Sequence, residues 1–142
     1  MKILYTAAVT ATGARHGHVE SSDGKLSLPL ALPPEMGGAG GATNPEQLFA
    51  GGYAACFGGA MEYIARQGKI DTGEIKVAAK VGIGPNDAGS GFGLAVELDV
   101  RASALAQADL EKLAREAHQV CPYSNATRGN IEVKLTANGK PI

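Results

Sequence analysis

Eight of the chain's glycines fall in the 23 residues from Gly37 to Gly59. They begin as the loop Gly37-Gly38-Ala39-Gly40-Gly41 and continue inside a segment that reads as one long helix. That helix has the strongest start in the sequence, with Asn44 as N-cap, Pro45 at the first position, then Glu46 and Gln47. Asparagine accepts a bond from a free backbone amide, proline has no amide to lose there, and a carboxylate suits the positive helix end. The pattern carries the helix to about Gln67, with Gly68 placed to close it in the left-handed conformation. Each glycine costs a helix interior ~1 kcal/mol relative to alanine. Gly51, Gly52, Gly58 and Gly59 together therefore call for a compensating contact. Gly51, Ala55 and Gly59 form one ridge at four-residue spacing, and a second helix crossing tightly at that ridge is the expected compensation. Chance tolerance of glycine is the plainer alternative.

The remaining composition narrows the class. The chain has 142 residues, no tryptophan, 5 % aromatics and a net charge of -1. That is the length of one domain, spanning residues 1–142, and the charge balance fits neither a disordered polyelectrolyte nor a nucleic-acid binder. The most apolar window, Leu48 to Met61, has 14 residues without a charge. A bilayer span needs about 20, so a buried helix is expected and no membrane partner. No signal-peptide pattern opens the chain, which makes the cytoplasm the expected location. In that compartment a pair of cysteines is more often redox-active than a structural staple.

The other elements alternate between strand and helix. Lys2 to Thr10 reads as a strand ending in a turn at Thr12-Gly13-Ala14. Gly17–Glu20 and Lys25–Leu32 flank a hairpin turn at Ser21–Gly24, and Pro33 and Pro34 stop the second strand. Glu74–Ile83 and Gly93–Arg101 form two strands joined by a glycine-rich loop. In the second, Val96, Leu98 and Val100 alternate with Glu97, Asp99 and Arg101, the mark of a half-buried sheet. A helix covers Gln107 to Val120 with Leu110, Leu113, Ala114 and Ala117 inward. Pro122 breaks it, leaving Cys121 at its C-terminal end, and Ile131 to Ala137 is a last strand. The class is α+β.

Several residues carry possible chemistry, each beside a plainer reading. Cys56, two turns or more from either end of the long helix, is either a reactive thiol or a small buried hydrophobe. Cys121-Pro122-Tyr123-Ser124 resembles the glutaredoxin active-site motif. That motif follows an early strand and opens a helix, whereas here it follows a helix late in the chain. Arg15 sits in a turn, where a solvated arginine is ordinary. His16 and His18 would share a face of a strand, but no further ligands at metal-site spacing accompany them, so no metal is expected. His118 suits a helix C-terminus. The Gly37–Gly41 loop lacks the Gly-Lys-Ser/Thr of a P-loop, and Pro45 removes an amide that a phosphate site would use.

Taken together, Thr43-Asn44-Pro45-Glu46-Gln47-Leu48-Phe49, Gly52-Tyr53-Ala54-Ala55-Cys56-Phe57 and Cys121 through Asn130 resemble the organic hydroperoxide resistance proteins. These belong to the superfamily named after osmotically inducible protein C. The resemblance covers nearly the whole chain, including the turn Thr12-Gly13-Ala14-Arg15. It implies an OsmC-like fold, with antiparallel sheets wrapped around long central helices in an intertwined homodimer. It also implies a thiol-dependent peroxidase of organic, including lipid-derived, hydroperoxides. Cys56 would attack the peroxide and Cys121 would resolve it, with Arg15 and Glu46 organising the thiolate. No bound cofactor is implied; the external reductant would be a lipoyl-type dithiol, as on a lipoylated protein. His16 and His18 depart from the acidic and basic residues more usual there.

The chemistry has its own arithmetic. A thiol of pKa ~8.5 is about 3 % ionised at pH 7. Half ionisation needs a shift of ~1.5 units, or about 2 kcal/mol. A guanidinium ~4 Å away supplies up to roughly 4 kcal/mol at an effective dielectric near 20. Resolution needs the Cα atoms of the two cysteines within about 7 Å. Glu46 and Cys56, however, stand about 15 Å apart along one helix, too far for one arginine to serve both. Arg15 and Glu46 are therefore expected from a partner subunit whose helix crosses at the glycine ridge. Phe49, Tyr53, Phe57 and Met61 surround Cys56 on its helix face, either as an apolar substrate pocket or as core. A non-enzymatic peroxide sensor and a dimeric scaffold with inert cysteines are the alternatives.

Overall fold

The computed structural model describes residues 1–87 and 89–142. Ala88, in the middle of the glycine-rich loop expected between two strands, lies outside the described residues. The chain divides into two compact units, Met1–Leu48 and Phe49–Ile142.

The first unit is built on an antiparallel sheet of β1 (Val9–Thr12), β2 (His18–Ser21) and β3 (Ser27–Pro29), in the order β1-β2-β3. The β2–β3 turn is held by Asp23, whose Oδ1 accepts from the Ser21 hydroxyl at 2.6 Å and from the Lys25 amide at 3.0 Å. β1 is shorter and later than the Lys2–Thr10 strand expected from alternation. Its partner β2 ends at Ser21, opposite Val9, so the residues before Ala8 have no strand to bond. Ile3, Leu4 and Tyr5 are left exposed. After β3 the backbone of Ala31 bonds the Thr43 carbonyl at 2.9 Å, and a short 3-10 turn spans Pro34–Met36. Helix α1 (Pro45–Gly68) then starts as anticipated: Asn44 Oδ1 accepts from the Gln47 amide at 2.9 Å. Its far end differs by one residue. Gly68 stays helical, Lys69 takes the left-handed φ of 53°, and the Ile70 amide closes onto the Ala65 carbonyl at 2.9 Å.

In the second unit the sheet order is β4-β5-β6-β7, formed by β4 (Ile75–Pro85), β5 (Phe92–Ala102), β6 (Val133–Ala137) and β7 (Lys140–Pro141). The pairings β4–β5 and β6–β7 are antiparallel, whereas β6 lies parallel to β5. A parallel neighbour requires a long crossover, which here consists of α2 (Gln107–Val120) and α3 (Pro122–Thr127). The core lies between sheet and helices: Val96, Leu98, Val100, Leu135 and Ala137 face Tyr53, Phe57 and Met61 of α1 and Leu110, Leu113, Ala114 and Ala117 of α2. Phe57 is fully enclosed. Truncation to alanine is expected to cost about 3–5 kcal/mol, readable as a lower urea midpoint at unchanged slope.

The small-residue ridge of α1 has a different setting. Gly51, Ala55 and Gly59 are exposed, and among the described residues nothing beyond the helix's own backbone lies within 4 Å of where a Cβ on Gly51 or Gly59 would stand. α2 packs on the opposite, aromatic side, so the crossing helix expected at this ridge is not supplied by the second unit.

Candidate active site

In the first unit, Arg15 is presented by a tight backbone knot. Gly13 and Ala14 both have positive φ, 77° and 52°, leading into a 3-10 turn over Ala14–His16. Gly17 closes it where a side chain would overlap the Thr12 carbonyl. The Arg15 guanidinium meets Glu46 on both prongs, Nη1 to Oε2 at 2.9 Å and Nη2 to Oε1 at 2.8 Å. Such a bidentate pair fixes the guanidinium plane as well as its charge. The hydrogen bond from Arg15 holds the Glu46 carboxyl below its ordinary pKa, and the same bond raises that of Arg15. Two residues 31 apart in sequence thus act as one oriented group.

In the second unit, Cys56 is half-buried on α1 and Cys121 is fully buried; both are free thiols. Their sulfurs stand 3.8 Å apart across 65 residues of sequence. Burial is the main cause pushing the Cys56 thiol above its ordinary pKa, and the neighbouring Cys121 adds to it. A backbone hydrogen bond from Tyr123 works in the opposite direction. Taken alone, this surrounding favours the neutral thiol, and a nearby positive charge or donated hydrogen bonds would favour the thiolate.

Cys121 owes its place to a joint between two helices. Its amide donates to the Ala117 carbonyl at 2.9 Å, closing α2, and its carbonyl accepts from the Asn125 amide at 2.9 Å, opening α3. Arg128 braces the joint, with Nη2 on the His118 carbonyl at 2.5 Å and Nη1 on Asn125 Oδ1 at 2.7 Å. The Tyr123 ring lies against Phe49 and Tyr53, with centroids at 6.0 and 5.6 Å. Gly52 makes room for it: a Cβ there would come within 3.0 Å of the Tyr123 hydroxyl.

The structure therefore brings Arg15 to Glu46 and Cys56 to Cys121. Tyr53, Phe57 and Met61 have no exposed surface, while Phe49 is partly exposed. His18 Nε2 lies 2.9 Å from Ser27 Oγ, and among the described residues no three His, Cys, Asp or Glu side chains cluster as metal ligands would. His118, in the last turn of α2, is held below its ordinary pKa by burial and then by the charge of Arg128. Sequence reasoning missed α3 and the polar side chains Ser124 and Thr127 that it buries. The available signal was Pro122, which ends one helix and equally favours the first position of the next.

Among the described residues no helix is long and apolar enough to cross a membrane. The family model described as OsmC-like protein matches residues 38–136. The organic hydroperoxide resistance protein of Xanthomonas axonopodis pv. citri (strain 306) is 56 % identical over 137 residues, covering 95 % of each chain. The crystal structure of an organic hydroperoxide resistance protein from Elizabethkingia anophelis superposes with a TM-score of 0.91 at 52 % identity, covering 96 % of this chain and 98 % of that one. That of OhrB of Bacillus subtilis gives a TM-score of 0.86 at 42 % identity, covering 95 % and 99 %.

Proposed function

The chain belongs to the OsmC-like family, among its organic hydroperoxide resistance proteins, and from that membership we propose that it is a thiol peroxidase of organic hydroperoxides. The observation that carries the reading is the pair of free sulfurs 3.8 Å apart. The Cys56 thiolate attacks one peroxide oxygen: an S–O bond forms, the O–O bond breaks, and the alkoxide leaves as the alcohol after taking a proton. Cys56 is then a sulfenic acid. The Cys121 thiol attacks its sulfur, the S–S bond forms, the S–O bond breaks, and the oxygen leaves as water. An external dithiol of lipoyl type, working in a reducing cytoplasm, returns both thiols. Stopped-flow turnover with dihydrolipoamide and cumene hydroperoxide tests this, and no turnover with any alkyl hydroperoxide would sink it. The apolar character of Phe49 and Tyr123 beside the cysteines favours bulky alkyl hydroperoxides by at least about tenfold over hydrogen peroxide, the discrimination of one to two buried methylenes. Equal rate constants for the two would remove this preference.

Activation of the thiolate falls to the Arg15–Glu46 pair. Along α1, Glu46 and Cys56 are ten residues apart, about 15 Å of helical rise, and burial alone leaves Cys56 protonated. A homodimer in which the partner's helix crosses at the exposed Gly51–Gly59 ridge resolves this, with each site taking its cysteines from one subunit and its ion pair from the other. Cys56→Ser chains, inactive, and Arg15→Ala chains, strongly impaired at pH 7, should then complement when mixed. Random reassortment gives one intact site in half of the dimers, so about a quarter of the wild-type rate is expected. Verified heterodimers without recovery would exclude shared sites.

A further inference from the structure

α3 is six residues long, yet Cys121 stands at its start with its sulfur 3.8 Å from that of Cys56. It is tied down by a file of polar side chains. His118 Nδ1 lies 2.9 Å from Ser124 Oγ, and Ser124 Oγ lies 3.0 Å from Tyr53 Oη. Tyr53 Oη lies 3.2 Å from Thr127 Oγ1, which donates to the Tyr123 carbonyl at 3.0 Å with the Ser124 carbonyl 3.2 Å away. Tyr53 and Ser124 are fully enclosed and Thr127 nearly so.

Proton counting gives this file a direction. The four successive contacts from His118 to the Tyr123 carbonyl require four protons. Ser124, Tyr53 and Thr127 bring one each, and a carbonyl brings none. The fourth must sit on Nδ1 of His118. Every bond then runs one way: His118 to Ser124, Ser124 to Tyr53, Tyr53 to Thr127, and Thr127 to the backbone of α3. With the proton on Nε2 instead, three protons serve four contacts, and one enclosed pair of oxygen or nitrogen lone pairs is left facing another, at the cost of an unmade buried bond. Among the described residues no buried side-chain nitrogen or oxygen lacks a partner.

We propose that this file is a positioning device for disulfide closure, in which Ser124 joins α1, the end of α2 and the first turn of α3 so that Cys121 stays within bonding reach of Cys56. Its purpose rests on the peroxidase reading. Ser124 acts through the backbone of α3 and is a positioning residue. Breaking the file frees the joint at Cys121 and lowers the fraction of time the two sulfurs meet.

The test uses 5,5′-dithiobis(2-nitrobenzoate), which needs no peroxide. Cys56 attacks the reagent, forming a mixed disulfide and releasing one thionitrobenzoate. The Cys121 thiol then attacks the Cys56 sulfur; a new S–S bond forms, the old one breaks, and a second thionitrobenzoate leaves while the thiol proton passes to solvent. In Ser124→Ala the ratio of second-phase to first-phase rate is expected to fall roughly tenfold, the equivalent of one buried hydrogen bond. Tyr53→Phe should lower it as well, and the double variant by less than the product of the two. The nearly isosteric Thr127→Val carries the same test should Ser124→Ala not fold. In the wild-type protein, side-chain nitrogen NMR should show His118 protonated on Nδ1. A lowered melting temperature with an unchanged phase ratio, or a proton found on Nε2, would overturn the proposal. A wild-type chain that closes its disulfide with this reagent yet ignores alkyl hydroperoxides would overturn the peroxidase reading and leave the positioning role standing.

Discussion

Cys56→Ser is expected to lower alkyl hydroperoxide reduction by a factor on the order of 10⁴ or more, because a serine hydroxyl at neutral pH has no comparable nucleophilic form. Cys121→Ser should behave differently. Its Cys56 still reacts once, at a rate near wild type, but the sulfenic acid has no thiol 3.8 Å away to meet. One equivalent of alcohol per chain should form before activity stops, and with excess peroxide the mass of Cys56 should climb to the sulfinic and sulfonic acids. The measurement is single-turnover kinetics followed by intact-mass analysis. Continued multiple turnover in Cys121→Ser would remove it from the cycle, and residual peroxidase activity in Cys56→Ser would transfer the attack to another group.

Arg15→Ala should produce the second-largest effect, through ionisation. Burial raises the Cys56 pKa, so at a given pH less thiolate is present than on a free thiol. A guanidinium brought to the sulfur stabilises the charged form and lowers the pKa again. Without Arg15 the thiolate fraction at pH 7 should be at or below the ~3 % of an ordinary thiol, a loss of at least about 30-fold in the peroxide rate constant. The pH profile separates this from a packing defect. Wild type should approach its plateau near neutrality. Arg15→Ala should rise about tenfold per pH unit from pH 7 until the raised pKa is reached. Two superimposable profiles would show that Arg15 does not act on the thiol. The same substitution removes the bond that holds Glu46 below its ordinary pKa, so the Glu46 carboxyl should titrate at higher pH than in wild type.

How far the sequence leads depends on whether the relevant force is local. The start of α1 is set by Asn44 and Pro45 themselves, and α2 by its own apolar spacing closed by Pro122; both were readable. The strand expected at Lys2–Thr10 shows the limit. Alternation says that a segment can pair, but the pairing partner within the chain ends opposite Val9. β7 was within reach and missed: Asn138-Gly139 is a strong hairpin signal, and both residues take positive φ, 51° and 75°. The approach of Cys56 to Cys121 followed from family resemblance and chemistry. No residue pattern states that two segments 65 apart share one corner of a core. The file through Ser124 was invisible for a related reason, since a serine next to a tyrosine looks like surface until a short helix folds it inward.

The joint at Cys121 has a mechanical consequence. This residue, with φ −62° and ψ 123°, is the single non-helical position between α2 and α3. Its sulfur stands 3.8 Å from Cys56 when reduced and would stand ~2.05 Å away when bonded. A movement of that size is within the swing of side-chain torsions about a one-residue pivot, with neither flanking helix required to unwind. On the peroxidase reading, each turnover would then ask for a swing of the Cys121 side chain and leave α2 and α3 folded. Such a bond would be a latch rather than a rivet.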